Sequence, residues 1–462
     1  MNPLPSFDGL LKCLDEARQR VSPKRPFVLA SFSTPSPEVE PLTLFSANRE
    51  HLQPASLWHV KAQAQYRLGL GLAHEFNARR TDSWQLLEDR WQSLAADAVV
   101  HGPHRPALFG GFAFDRHHHR TRLWRDFPDA ALTLPRFELH ENEGQTRLII
   151  NVLVEQGTVC EQLADSLVNE WATVLARPLP VKAAPVDNYV RLSMAHLWKQ
   201  DVSNAVSWIQ RSDLEKVVLA RSQNVPAAQP LHQVMQRLLH KQPNAYLFAF
   251  ARQDSCFVGA SPECLLTVQG KAFRTMALAG TAPRGQSSAD DAQLGEQLLA
   301  SRKDNAEHAM VVASLKECLS QHCLELDIAR QPRLHKLPHI QHLLTPVQGT
   351  LAPDARLLAM VESLHPTPAV GGLPRNQALD YIRNHEHLDR GWYAGPVGWL
   401  DDRGSGEFAV ALRSALLDGN RATLFAGCGL VSESEPESEY RESDLKMQTM
   451  REALSGGMMG IG

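Results

Sequence analysis

Several signatures are missing from this 462-residue sequence. It contains no GxxxxGK[ST] and no GxGxxG, so nothing points to phosphate-cradling nucleotide sites. Its seven cysteines are odd in number and scattered, without a CxxC pair. That excludes a zinc knuckle and a disulfide framework as readings, and reduced thiols of a cytoplasmic protein are expected. There is no basic surplus: the formal charge is −4, which gives no support for nucleic acid or an anionic membrane as partner. No apolar run approaches the roughly 20 residues needed to cross a bilayer. The opening MNPLPSFDGLLKC lacks a basic segment followed by an apolar stretch, so no signal peptide is expected. Fixed-period repeats and low-complexity tracts are absent too.

What remains is an ordinary globular composition, 43% hydrophobic and 21% charged. The strongest shift in composition is RPLPVKAAPVD, Arg177 to Asp187, which reads as an extended connector. It divides the chain into an N-terminal part, 1–186, and a C-terminal part, 187–462. In the first part PFVLASFS, ALFGGFAFD and RLIINVLVE read as strands; SWQLLEDRWQSLAADAVV and LADSLVNEWATVLAR have helical spacing. In the second, a helix is expected at WKQDVSNAVSWIQRSD, then strands at KVVLAR, AYLFAFA and CFVGASPECLLTV. A long helical region follows from Ser288 to Cys323, then strands at GPVGWLD, GEFAVALRSALL and TLFAGCGLV, and a last helix from Glu437 to Glu452. Strands in adjacent runs, with turns such as Asp402–Gly406 between them, suggest antiparallel sheets with helices outside, an α+β fold.

A few residues stand out as candidate chemistry. Lys216 opens an apolar strand and shares a face with Val218 and Ala220, where burial favours a neutral amine that can act as a base. The ordinary alternative is a strand-end lysine whose amine reaches water. Glu263 follows Pro262, which can aim its carboxyl into a cleft; a solvated turn glutamate is the plainer reading. Glu307, near Asp304 and His308, lies in one helical pattern, and Glu439, Glu442 and Lys446 in another. Two such helices can hold Mg²⁺, which takes oxygen ligands, or can simply be solvated charged faces. The glycines of ALAGTAPRG and LFAGCGLV permit close backbone approach but are weak signals alone. The run His117 to His119 cannot converge on one point of a regular element and reads as surface.

Taken together and in order, the segments are far more specific. KVVLAR at 216, GASPECL at 259, ALAGTAPRG at 277, KDNAEH at 303 and LHPTPAVGG at 364 are followed by four more: RGWYAGPVGW at 390, GEFAVALRSA at 406, AGCGLV at 426 and PESEYRESDLK at 436. The chain resembles the chorismate-utilising enzymes, the family of anthranilate, aminodeoxychorismate, salicylate and isochorismate synthases. GGFAFD at 110 is a weaker match. The resemblance implies large antiparallel sheets packed face to face with helices outside and an active site in the cleft between them. It also implies that both parts of the chain build the same body.

The resemblance carries roles as well. Members that bring in ammonia have glutamine at the position of Lys216, and members that bring in water have lysine. Lys216 is thus expected to activate water for attack at C2 of chorismate, with Glu263 as the acid at the C4 hydroxyl. That implies formation of isochorismate. Salicylate synthase, which goes on to eliminate pyruvate, is the nearest rival, and an aminodeoxychorismate or anthranilate synthase is opposed by Lys216. Glu307 and Glu442 are implied as the principal Mg²⁺ carboxylates, with Glu439 close by. Arg413 and Lys446 match positions that take the enolpyruvyl carboxylate. Gly280 and Thr281 match positions near the C4 hydroxyl, Gly427 and Gly429 positions that offer backbone N–H groups, and His365 one close to the ring. Ala369, Val370, Tyr393, Leu412 and Phe425 match the pocket wall. Ala369 offers no hydroxyl to assist elimination. The expected partner is the small molecule chorismate alone, with no glutaminase subunit and a monomeric chain.

Overall fold

The computed structural model describes residues 5–142, 144–180, 195–227, 229–337 and 340–455. Its hub is the strand Ala130–Asn142. One edge of this strand pairs with Gln65–Asn77; the other is shared between Ala107–Phe112 and Gln145–Glu155. The sheet therefore forks. The first limb continues from Gln65–Asn77 through Ala55–Val60, Tyr246–Arg252, Ser255–Ser261, Ser414–Asp418, Arg421–Leu430 and Lys216–Pro226 to the short Gly372–Leu373. The second runs from Ala107–Phe112 through Pro396–Asp401, Gly406–Val410, Cys264–Gln269 and Ala272–Pro283 to Ile340–Leu351. Pairings along both limbs are antiparallel, while Phe27–Pro35 pairs in parallel with Val99–His101 beside the hub. Strands from before and after the connector are thus neighbours in both limbs.

The limbs pack face to face, and alternation along a strand shows how. In Tyr246–Arg252, Phe248 and Phe250 enter the core between the limbs. Leu247, Ala249 and Ala251 enter a second core, covered by the helices Phe7–Arg20, Pro41–Asn48, Cys160–Ala176, Leu231–Lys241 and Pro436–Ser455. A strand buried on both faces needs a continuous apolar run, which AYLFAFA supplies. Each buried aromatic ring contributes about 1.5–3 kcal/mol by leaving water. Trp124 against Phe257, and Phe250 against Trp392, are among the edge-to-face ring pairs between the limbs.

Three sequence expectations need adjustment. The helical region Ser288 to Cys323 is two helices, Ser288–Ala300 and Arg302–Ser320, because Ser301 takes an extended conformation and its Oγ accepts from the Asp304 N–H at 3.2 Å. The run GEFAVALRSALL is likewise broken into Gly406–Val410 and Ser414–Asp418, with Arg413 in the left-handed region at φ 50°. The helix that starts at Trp84 ends at Ala96, and the apolar tail AVV leaves it for the strand Val99–His101. Of the connector, residues 181–187 fall outside the described residues. His117 and His119 are exposed and His118 is half-buried. Among the described residues no helix is long and apolar enough to cross a membrane.

Two passages of chain cross between the limbs side by side. One links Ser255–Ser261 to Cys264–Gln269, and the other links Gly406–Val410 to Ser414–Asp418. Val410 N–H donates to Glu263 O at 3.1 Å, and Ala260 N–H donates to Arg413 O at 3.2 Å. Ser261 Oγ ties them further, donating to Val410 O at 2.5 Å and accepting from Glu263 N–H at 3.2 Å. These crossings deliver Glu263 and Arg413 to the cleft.

Candidate active site

A cavity of about 340 Å³ lies between the limbs and the helices Arg302–Ser320 and Pro436–Ser455. Of the residues implied by resemblance, it brings together Lys216, Glu263, Gly280, Thr281, Glu307, Ala369, Val370, Tyr393, Leu412, Arg413, Gly427, Gly429, Glu439, Glu442 and Lys446. These come from separate segments spread over half the chain.

Lys216 sits on the first limb and is 3% exposed. Its Nζ donates to Glu307 Oε1 at 2.5 Å. A Cβ on Gly429 would lie 2.7 Å from Lys216 Cε, so this glycine is what lets the lysine cross its neighbouring strand. Gly427 and Gly429 both lie in the ladder with Lys216–Pro226, opposite Ala220 and Val218.

Glu263 is 5% exposed. Burial pushes its carboxyl up to about 7, against the pull of Arg413, Lys216 and Lys446. The group can therefore hold a proton near neutrality. Arg413 stands in a backbone conformation that costs a non-glycine residue about 1–2 kcal/mol, a strain typical of sites where a side chain must be aimed.

On the second limb, Gly280 occupies a bulge at φ 74°, between Ala279 and Thr281. A Cβ there would come within 3.1 Å of Asp304 Cβ, so the missing side chain admits the start of the Arg302–Ser320 helix. Thr281 Oγ1 lies 3.0 Å from His342 Nδ1, and Gly280 O lies 3.2 Å from the same nitrogen. Burial, with Arg413 and Lys446 nearby, brings His342 down to about 3, so its imidazole is neutral.

The helix Pro436–Ser455 presents Glu439, Glu442 and Lys446 on one face, as their spacing requires. Lys446 Nζ lies 2.6 Å from Glu442 Oε1 and donates to Gly427 O at 2.9 Å. Burial opposes the charges of this pair, yet Lys446 holds the Glu442 carboxyl below its ordinary value, and Glu442 holds Lys446 above its own. Glu439 is pushed up, first by burial and then by the Glu442 carboxylate. Ligand atoms of Glu439, Glu442 and Cys428 lie within 4.8 Å of one another. Two half-buried carboxylates crowded together suit a hard divalent cation. Glu307 shares the cavity but is engaged by Lys216.

Two implied residues stand elsewhere. His365 does not line the cavity. It closes the helix Leu357–Leu364, and its ring fills a slot between Trp84, 5.9 Å away, and Phe114, 5.6 Å away, with Nε2 hydrogen-bonded to Phe114 O at 2.9 Å. Phe425 stands behind the wall, stacked on Tyr393 with ring centroids 5.1 Å apart. Conversely, His342, Asp304, Lys303 and Arg390 line the cavity without having been singled out as its residues. His342 was traceable: it is the imidazole inside the apolar strand IQHLLTPV.

Known proteins resemble the chain along nearly its whole length. Residues 15–455 match the model of the family described as chorismate binding enzyme. The chain is 41% identical over 443 residues to the salicylate biosynthesis isochorismate synthase of Pseudomonas aeruginosa, covering 94% of this chain and 92% of that relative. It is 33% identical over 442 residues to the isochorismate synthase MenF of Bacillus subtilis, covering 93% and 94%. Among solved structures, the menaquinone-specific isochorismate synthase MenF of Escherichia coli superposes with a TM-score of 0.79 at 28% identity, covering 96% of this chain and 100% of that one.

Proposed function

This chain belongs to the family of chorismate-binding enzymes, and we propose that it is an isochorismate synthase that converts chorismate to isochorismate reversibly with water as nucleophile. The observation that carries this reading is the pair formed by Lys216 and Glu263: a buried amine from the first limb and a buried carboxyl, pushed up to about 7, from a crossing between the limbs, both lining one cavity. In the forward direction Lys216 Nζ takes a proton from water as the C2–O bond forms. The two ring double bonds shift, the C4–O bond breaks, and Glu263 gives its proton to the departing hydroxyl, which leaves as water. Return of the reaction exchanges the two roles.

Chorismate is a dianion, and the cavity meets it with fixed positive charge. Arg413 offers a planar fork to the enolpyruvyl carboxylate and Lys446 a point charge. Gly280 and Thr281 lie where the C4 hydroxyl would be held, and Gly427 and Gly429 allow the ring close to the backbone. Tyr393, Leu412, Val370 and Ala369 exclude water around it. The residues that would hold Mg²⁺ are Glu442, Glu439 and Glu307, and the ion when bound supplies the charge that neutralises the ring carboxylate. A cation drawing on Glu307 would compete with the Lys216 amine for that carboxylate. Because the nucleophile is water, no glutaminase subunit is required; a monomeric chain is the expected state.

Turnover in H₂¹⁸O tests the chemistry. Isochorismate carrying one ¹⁸O at C2 is the expected product; isochorismate without label would refute attack by water.

A further inference from the structure

Beside the cavity, the strand Lys216–Pro226 runs out of partners on one edge. Gly372–Leu373 pairs there only with Val217 and Lys216, and Val218 N–H reaches Gly371 O at 2.9 Å. The next edge groups are Val218 O and Ala220 N–H, in a buried stretch where an unmade hydrogen bond is costly. Side chains take the place of the missing strand. Glu386 Oε2 accepts from Ala220 N–H at 2.7 Å, and Arg390 Nη2 donates to Val218 O at 2.7 Å. Arg390 also donates from Nε to Glu386 Oε1 at 2.6 Å, from Nη2 to Glu386 Oε2 at 2.7 Å, and from Nη1 to Val370 O at 3.0 Å. The guanidinium is 3% exposed and lies 4.1 Å over the Phe114 ring.

One planar fork thus joins the strand that carries Lys216 to the wall segment that carries Ala369 and Val370. Its own backbone carbonyl accepts from the Tyr393 N–H at 2.8 Å, which sets a third part of the wall. We propose that Arg390, held by Glu386, is a positioning residue: it fixes the separation of Lys216 from the apolar wall and thereby the alignment of base and substrate ring. This rests on Lys216 being the base. A lysine at 390 keeps the charge but has a single nitrogen, and it cannot span Glu386, Val218 and Val370 in one plane.

The experiment compares Arg390→Lys and Arg390→Ala with the wild-type chain. For Arg390→Lys, chorismate affinity by calorimetry is expected to stay within about threefold, because Arg413 and Lys446 are untouched. Its kcat is expected to fall about 10- to 100-fold, the scale of a misplacement of about 1 Å. Added methylguanidinium is expected to restore part of the kcat of Arg390→Ala, whereas urea does nothing. Amides from Lys216 to Ala220 are expected to exchange with deuterium faster in Arg390→Lys than in the wild type. A kcat within twofold of wild type would overturn the proposal, as would an affinity loss that matches the loss in kcat, which would make Arg390 a substrate contact. Wild-type protein that forms no isochorismate would refute the functional reading instead, and unchanged amide exchange in Arg390→Lys would then overturn the clamp by itself.

Discussion

Replacing Glu263 by glutamine keeps the shape of the side chain and removes its titration. Raising this carboxyl from its ordinary 4.5 to about 7 means that ionising it costs roughly 3 kcal/mol more in the folded protein than in the unfolded chain, at about 1.36 kcal/mol per pH unit. Because the folded value is the higher one, the associated stability is fully present below pH 4.5 and is lost as the pH rises through about 7. At pH 8 the Glu263→Gln protein should thus be more stable than wild type by up to about 3 kcal/mol; the difference shrinks to about 1 kcal/mol at pH 5. Turnover should move the other way. An amide cannot give a proton to the leaving hydroxyl, and kcat should fall by about 10²- to 10⁴-fold, the usual worth of a positioned general acid. Denaturant unfolding at the two pH values, with a turnover assay on the same preparations, reads both effects. A glutamine variant no more stable than wild type at pH 8, or one that keeps a tenth of the wild-type kcat, would refute the reasoning.

Further substitutions probe the rest of the cleft. Lys216→Ala should reduce turnover by at least about 10²-fold while calorimetry still detects chorismate binding, since Arg413 and Lys446 remain; near-normal turnover would remove the base assignment. Glu442→Ala takes away one carboxylate of the crowded pair and the ion-pair partner of Lys446, so calorimetry should record Mg²⁺ and chorismate affinities weakened together. Gly429→Ala builds a methyl group 2.7 Å from Lys216 Cε. The lysine must shift, and kcat should drop by more than about tenfold with the fold intact by circular dichroism.

Much of this site was legible in the sequence only through the ordered set of segments that resembles the chorismate-utilising enzymes, since local pattern left each residue an ordinary reading as well. Lys216 heads an apolar strand, Glu263 follows a proline, and the spacing of Glu439, Glu442 and Lys446 declares a helix face; the cavity contains all five. Local pattern does not report which side of an element faces the cleft. His365 and His342 show this. Both are buried imidazoles in apolar settings, and each is brought down to about 3 chiefly by burial. Only the tertiary arrangement decides that His342 meets Thr281 while His365 fills a slot between Trp84 and Phe114. The same holds for Glu307, whose Lys216 contact joins residues 91 positions apart. The breaks at Ser301 and Arg413 were hidden for another reason. A serine cap inside a long helical pattern and a left-handed arginine inside an apolar run leave the hydrophobic periodicity nearly unchanged, although they redirect the chain. The fork at Ala130–Asn142 is a matter of pairing between distant strands, on which periodicity is silent.

The central claim is that this cleft adds water to chorismate and stops there. A proton NMR time course of the purified protein with chorismate and Mg²⁺, without any other enzyme, tests it most directly. The expected result is isochorismate rising to a stable mixture with chorismate, with no pyruvate released. Pyruvate and salicylate appearing in equal amounts would contradict it and would assign elimination to the same cleft despite Ala369.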